Sequence, residues 1–116
     1  MRVQLLSDLH LEMHGASWDY VIRTLPVTGA DVVVLAGDVS SAMNLARDLK
    51  AICNHFYESV VLYVMGNHEL YSRSGHSIQH VLDEIQSVEE SCQNLRVLHN
   101  KQVEIDGVLF AGTPLW

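Results

Sequence analysis

Three short stretches of the chain carry side chains able to bind metal or move protons: Ser7-Asp8-Leu9-His10, Gly37-Asp38 and Gly66-Asn67-His68-Glu69. In Asp8-Leu9-His10 the outer residues are two apart, which in an extended segment puts both on one side, roughly 6.5 Å apart along the chain. A carboxylate and an imidazole so placed can close on one ion at about 2.0–2.2 Å per bond. Gly37 lets the backbone come close and leaves Asp38 central, with two oxygens that can bridge two metals. Asn67 offers a neutral carbonyl oxygen, and His68 beside it can ligate or transfer a proton, since imidazole changes charge near neutral pH. Mixed carboxylate, imidazole and amide-oxygen ligation suits Mn, Fe, Zn or Mg rather than copper or an iron–sulfur cluster.

Each of these stretches leaves an apolar run that reads as a strand. Val3 to Leu6 is the first, "DVVVLAGD" the second and "SVVLYVM" the third; the second, rich in β-branched residues, has the pattern of a strand covered on both sides. Helical patterns lie between them. Trp18, Val21, Ile22 and Leu25 share one face of a short helix that Pro26 ends. After Ser40 and Ser41, either of which can cap, Ala42, Leu45, Ala46, Leu49, Ile52, Cys53 and Phe56 keep helical spacing over about four turns. Ile78, Val81, Leu82, Ile85, Val88 and Cys92 trace a further amphipathic helix, with Asp83, Glu84, Glu89 and Glu90 expected on its solvent side. "LRVLHN" gives a short strand, and "QVEIDGVLFAG" reads as a hairpin turning at Asp106-Gly107. Strands separated by helices run parallel, so the first three exits should gather along one sheet edge, where open α/β sheets bind ligands.

Composition narrows the chemistry. Seven Lys+Arg against fourteen Asp+Glu give a net charge of −7. Such a chain lacks the basic footprint of a nucleic-acid binder, although a nucleotide substrate remains compatible with it. A phosphate ligand would need local positive charge, which a bound cation supplies. Cys53 and Cys92 have no metal-type spacing and read as small core residues in a reducing compartment. No segment approaches the roughly 18–20 apolar residues of a membrane span, so the expectation is a cytoplasmic protein without a membrane partner. The sequence finishes at "FAGTPLW", an apolar ending that reads as the interior of a longer domain.

The ordered blocks D-x-H, G-D and G-N-H-E resemble the calcineurin-like metallophosphoesterases, whose pattern continues with a later His and a closing G-H-x-H. The resemblance covers residues 1–116 as a single domain portion, the N-terminal part of the family's domain. It implies an α/β fold, a layered β-sandwich flanked by helices, of which the first half is present: β-α-β-α-β-α, then antiparallel strands. It also implies two divalent metal ions (Mn, Fe, Zn or Mg), with Asp8, His10 and Asp38 at the first site and Asp38 and Asn67 at the second. The ions would lie about 3.5–4 Å apart, with a bridging hydroxide that attacks a phosphomonoester or phosphodiester substrate. His68 would be the catalytic residue, protonating the departing oxygen.

The chain also departs from the family's pattern. No G-H-x-H occurs in it, which leaves the second metal only Asp38 and Asn67. In many relatives a carboxylate three residues after the bridging aspartate orients the histidine; that position is Ser41, so the resemblance supplies no such group for His68. The alternative function is a non-catalytic scaffold, or an inactive half-domain that self-associates through an unprotected sheet edge.

Bland readings stand beside the sharp ones. Taken singly, Asp8, Asp38 and Asn67 are ordinary turn formers after strands, and only their convergence speaks for metal. His68 can equally be a structural hydrogen-bonding group. Glu69 reads as a supporting or capping residue rather than a ligand. His76 and His80, one helical turn apart, read as surface residues before they read as a zinc pair. His99 could replace a missing ligand, and Arg73 lies close enough to the third block to reach a phosphate. His14 and His55 carry no inference.

Overall fold

The computed structural model describes residues 1–71, 75 and 77–115. Strands β1 (Val3–Leu6), β2 (Val32–Ala36), β3 (Val60–Val64) and β4 (Leu95–Val97) form one parallel sheet in the order β1-β2-β3-β4. Helices α1 (Trp18–Thr24), α2 (Leu45–His55) and α3 (Ile78–Ser91) connect them in turn. With strands added in sequence order, right-handed crossovers place every helix on the same face. Packing agrees: Ile22, Leu49, Ile52, Val81 and Ile85 join Val33, Leu35, Val61 and Tyr63 in one core.

The alternate strand residues point the other way. Val32 and Leu62 pack with Leu98 against Val103, Ile105 and Phe110 of a separate antiparallel hairpin, β5 (Lys101–Ile105) and β6 (Val108–Gly112). Asp106 and Gly107 turn that hairpin with φ of 48° and 78°, the left-handed pair that a two-residue turn requires. Over β1 this face is open, and Val3 and Leu5 are 50% and 67% exposed.

Two sequence expectations need correction. Helix α2 starts at Leu45, three residues later than the apolar spacing suggests, and neither Ser40 nor Ser41 caps it. The Ser40 hydroxyl instead donates to the buried carboxylate of Asp48 at 2.6 Å, so Ser40 braces the first turn from outside it. Glu89 is not simply solvated, because its Oε2 accepts the backbone N–H of Val97 at the β4 edge. A 3₁₀ segment, Leu11–Ser17, also precedes α1 where no element was expected. Arg73 and His76 fall outside the described residues.

The far rim of the sheet is closed by Asn94. Its amide nitrogen donates to the carbonyls of Cys53, Phe56 and Ser59 at 3.1, 3.2 and 3.1 Å, tying the last turn of α2 to the segment that enters β3. Asn94→Ala is expected to lower stability by about 1–3 kcal/mol in urea unfolding, the cost of orphaned carbonyls rather than of lost apolar contact. Cys53 and Cys92 are both free thiols, and burial pushes the Cys53 thiol up to about 12, which keeps it a neutral core group. No described helix is long and apolar enough to cross a membrane.

Candidate metal centre

The exits of β1, β2 and β3 lie side by side on the sheet's C-terminal edge, and backbone hydrogen bonds stitch them together. Asp8 N–H donates to Gly37 O at 3.1 Å, His10 N–H to Asp38 O at 3.0 Å and Leu11 N–H to Val39 O at 2.9 Å. The third exit joins through side chains. Asp38 Oδ1 accepts the backbone N–H of His68 at 3.0 Å. Glu69, fully buried, accepts the N–H groups of Asp38 (3.1 Å), Val39 (3.0 Å) and Gly66 (3.1 Å) and the Tyr63 hydroxyl (3.0 Å).

These tight exits demand unusual backbone. Asp8, His10 and Asp38 adopt φ of 56°, 45° and 52°, the left-handed region that residues with a Cβ enter at a cost. For Asp8 and His10 this replaces the extended geometry that their spacing suggested. The two side chains nevertheless come together, with His10 Nε2 3.8 Å from Asp8 Oδ1. On its other side His10 Nε2 is 4.0 Å from Asp38 Oδ2.

His10, Asp38 and His68 each offer one ligand atom, and these atoms all lie within 4.8 Å of one another. Two ligands of one ion at about 2.0–2.2 Å per bond stand no more than about 4.4 Å apart, so the set needs only a small contraction to hold a divalent cation. Two imidazoles and a carboxylate are a fitting donor set for Zn, Mn or Fe. The His10 and His68 rings meet edge to face, with centroids 4.3 Å apart.

The remaining predicted residues stand around this trio. Asp8 is adjacent to His10 but its side chain is 64% exposed. Asn67 immediately precedes His68, and its Nδ2 donates to the Tyr71 hydroxyl at 2.8 Å, a bond that does not engage Oδ1. His80 pairs with Glu84 at 3.5 Å along α3, as a surface residue does.

Sequence reasoning missed Glu12. Its Oε1 lies 3.0 Å from His68 Nδ1 and 3.4 Å from His10 Nδ1, while its Oε2 is buried without a hydrogen-bond partner among the described residues. A carboxylate thus stands against His68 although position 41 is a serine, and it comes from the 3₁₀ segment that follows β1. The one available signal was an acidic residue two positions after His10.

Burial pushes the Glu69 carboxyl above the ordinary carboxylate range, and the Val39 N–H pulls it back. Burial, together with the adjacent Glu69 carboxylate, drives the Tyr63 phenol well up, so it remains a donor.

Comparison with known proteins agrees with this architecture. Over 97% of its length the chain superposes on a crystal structure of TT1561 from Thermus thermophilus, with a TM-score of 0.66 and 23% identity. The match spans 48% of that protein, so the chain corresponds to about half its length. No curated protein sequence matches the chain. The family model for the calcineurin-like phosphoesterase superfamily domain matches residues 1–111. With that match over nearly its whole length, the chain belongs to the calcineurin-like phosphoesterase superfamily.

Proposed function

We propose that this chain carries the metal-binding half of an enzyme that hydrolyses a phosphomonoester or phosphodiester. The observation that carries the reading is the meeting of His10, Asp38 and His68, from three separate strand exits, within 4.8 Å. Asp8, beside His10, and Asn67, next to His68 in the chain, would supply the further donors that a two-cation arrangement needs. Cations held there would neutralise charge on the phosphoryl oxygens and acidify a water molecule. Of the chain's own groups, Asp38 and His10 would fix the cations, while His68, beside them, would keep its Nε2 off the cation and give its proton to the departing ester oxygen. A chain of net charge −7 has particular need of such cations to hold a phosphate.

Metal removal and return test the reading. Dialysed protein supplied with Mn²⁺ should bind at least about one equivalent, and nitrophenyl phosphate or its diester should then be hydrolysed. A chelator should abolish that hydrolysis and fresh Mn²⁺ restore it. Binding of less than about a tenth of an equivalent at millimolar supply would overturn the proposal.

The exposed apolar residues Val3 and Leu5 favour a second reading, an inactive half-domain that self-associates. Elution as a stable dimer with no metal uptake would select it.

A further inference from the structure

We infer that Glu12 is the positioning residue for His68, fixing both the tautomer and the direction of its ring. The inference rests on the phosphoesterase reading for its chemical purpose, and on geometry for the contact itself. Glu12 Oε1 is 3.0 Å from His68 Nδ1 and 3.4 Å from His10 Nδ1. An ionised carboxylate only accepts hydrogen bonds, so a nitrogen bonded to it must carry the proton. Both rings are therefore held with Nδ1–H toward Glu12 and Nε2 directed away from it. The placement of His10 is consistent with this, since its Nε2 faces Asp8 Oδ1 and Asp38 Oδ2 at 3.8 and 4.0 Å.

Glu12 is itself firmly placed. It lies in the first turn of the 3₁₀ segment, next to Leu11, which is fully buried and donates its N–H to Val39 O at 2.9 Å. The Glu12 side chain is 17% exposed and that of His68 23%, so water competes weakly for their hydrogen bond. Its second oxygen is buried and has no hydrogen-bond partner among the described residues.

In the reaction, a water oxygen would bond to phosphorus, its proton passing to solvent, as the bond between phosphorus and the ester oxygen breaks. That ester oxygen would take the Nε2 proton of His68, which enters the step as the imidazolium with both nitrogens protonated. The imidazole is left neutral, with Nδ1–H still on Glu12. Glu12 does not touch the reacting atoms. It keeps the correct nitrogen facing them.

Glu12→Ala and the isosteric Glu12→Gln test this in the Mn²⁺-loaded protein and in the metal-free protein. Nitrogen-15 NMR of metal-free protein at about pH 8.5, where an ordinary imidazole is neutral, should show His68 as the Nδ1–H tautomer. In Glu12→Ala it should move toward the Nε2–H form that free imidazole prefers. In the loaded protein, kcat for an alkyl phosphate ester should fall about 10- to 100-fold in Glu12→Ala and less in Glu12→Gln, which retains an acceptor oxygen, with KM little changed. Nitrophenyl phosphate, whose leaving group needs no proton, should lose less than about threefold.

An unchanged His68 spectrum in both folded variants overturns the positioning, whatever the activity. Equal losses on alkyl and nitrophenyl esters overturn its purpose in proton donation. If wild-type protein hydrolyses neither ester while the tautomer shift appears, the phosphoesterase reading fails and the positioning by Glu12 stands.

Discussion

Gly66→Ala is expected to abolish divalent-cation binding and to lower hydrolysis by at least about 100-fold, the scale of a misplaced reacting group. Helix content should change little. A Cβ at Gly66 would overlap Asp38 Oδ1 and would stand 2.6 Å from Asp38 N and 3.0 Å from Asp38 Cγ. The Asp38 carboxylate could turn only by giving up the His68 N–H, and the Asp38 backbone N cannot retreat, because that backbone is fixed by the Glu69 carboxylate and by the His10 N–H. The clash must therefore displace the carboxylate that the centre needs, or part the two exits.

Gly37 gives no relief. A Cβ there would meet Gly66 N at 2.9 Å, so the two glycines lie back to back and neither loop has room to retreat. Overpacking of this kind costs about 1–3 kcal/mol, which a folded domain can survive, so loss of cation binding should outrun loss of fold. Calorimetric titration with Mn²⁺ beside a thermal melt separates the two. Near-normal cation affinity in a folded Gly66→Ala protein would show that Asp38 is not where the centre needs it.

Glu69→Ala should cost at least about 4 kcal/mol, enough to endanger the fold of a domain with an ordinary stability of about 5–15 kcal/mol. Oε2 takes the N–H groups of Asp38 and Gly66, and Oε1 takes the Val39 N–H and the Tyr63 hydroxyl. Truncation leaves four donors around a fully buried position, each costing about 1–3 kcal/mol if nothing replaces its partner. Glu69→Gln should fare little better, since its amide must turn an NH₂ toward two of those donors. The urea midpoint measures the loss, with Tyr63→Phe as a milder companion that removes a single donor. A Glu69→Ala protein within about 1 kcal/mol of wild type would mean that water satisfies the freed groups.

How far the sequence was legible depended on whether each feature is local. Asp8, Asp38 and His68 follow their strands directly, so parallel topology alone brings them to one rim. Asp106-Gly107 names its own turn type, and the hairpin has the expected register, with Ile105 opposite Val108. Glu12 was not legible, because its meeting with His68 spans 56 positions and depends on an unpredicted 3₁₀ turn. The start of α2 was misplaced because Ala42 is buried in a turn and so mimics the helix's apolar stripe. Burial reads the same from either conformation. Ser40 looked like a cap by type, but its hydroxyl had a buried carboxylate to serve.

Asp8, His10 and Asp38 all hold backbone angles that glycine or asparagine would adopt more comfortably. A lineage selected for thermal endurance alone would drift toward those residues and in doing so lose its acids and its imidazole. The opposing pressure makes this rim the place where resilience and reactivity cannot both be maximised. Stabilising changes are better sought in the helices and the hairpin, far from the three exits.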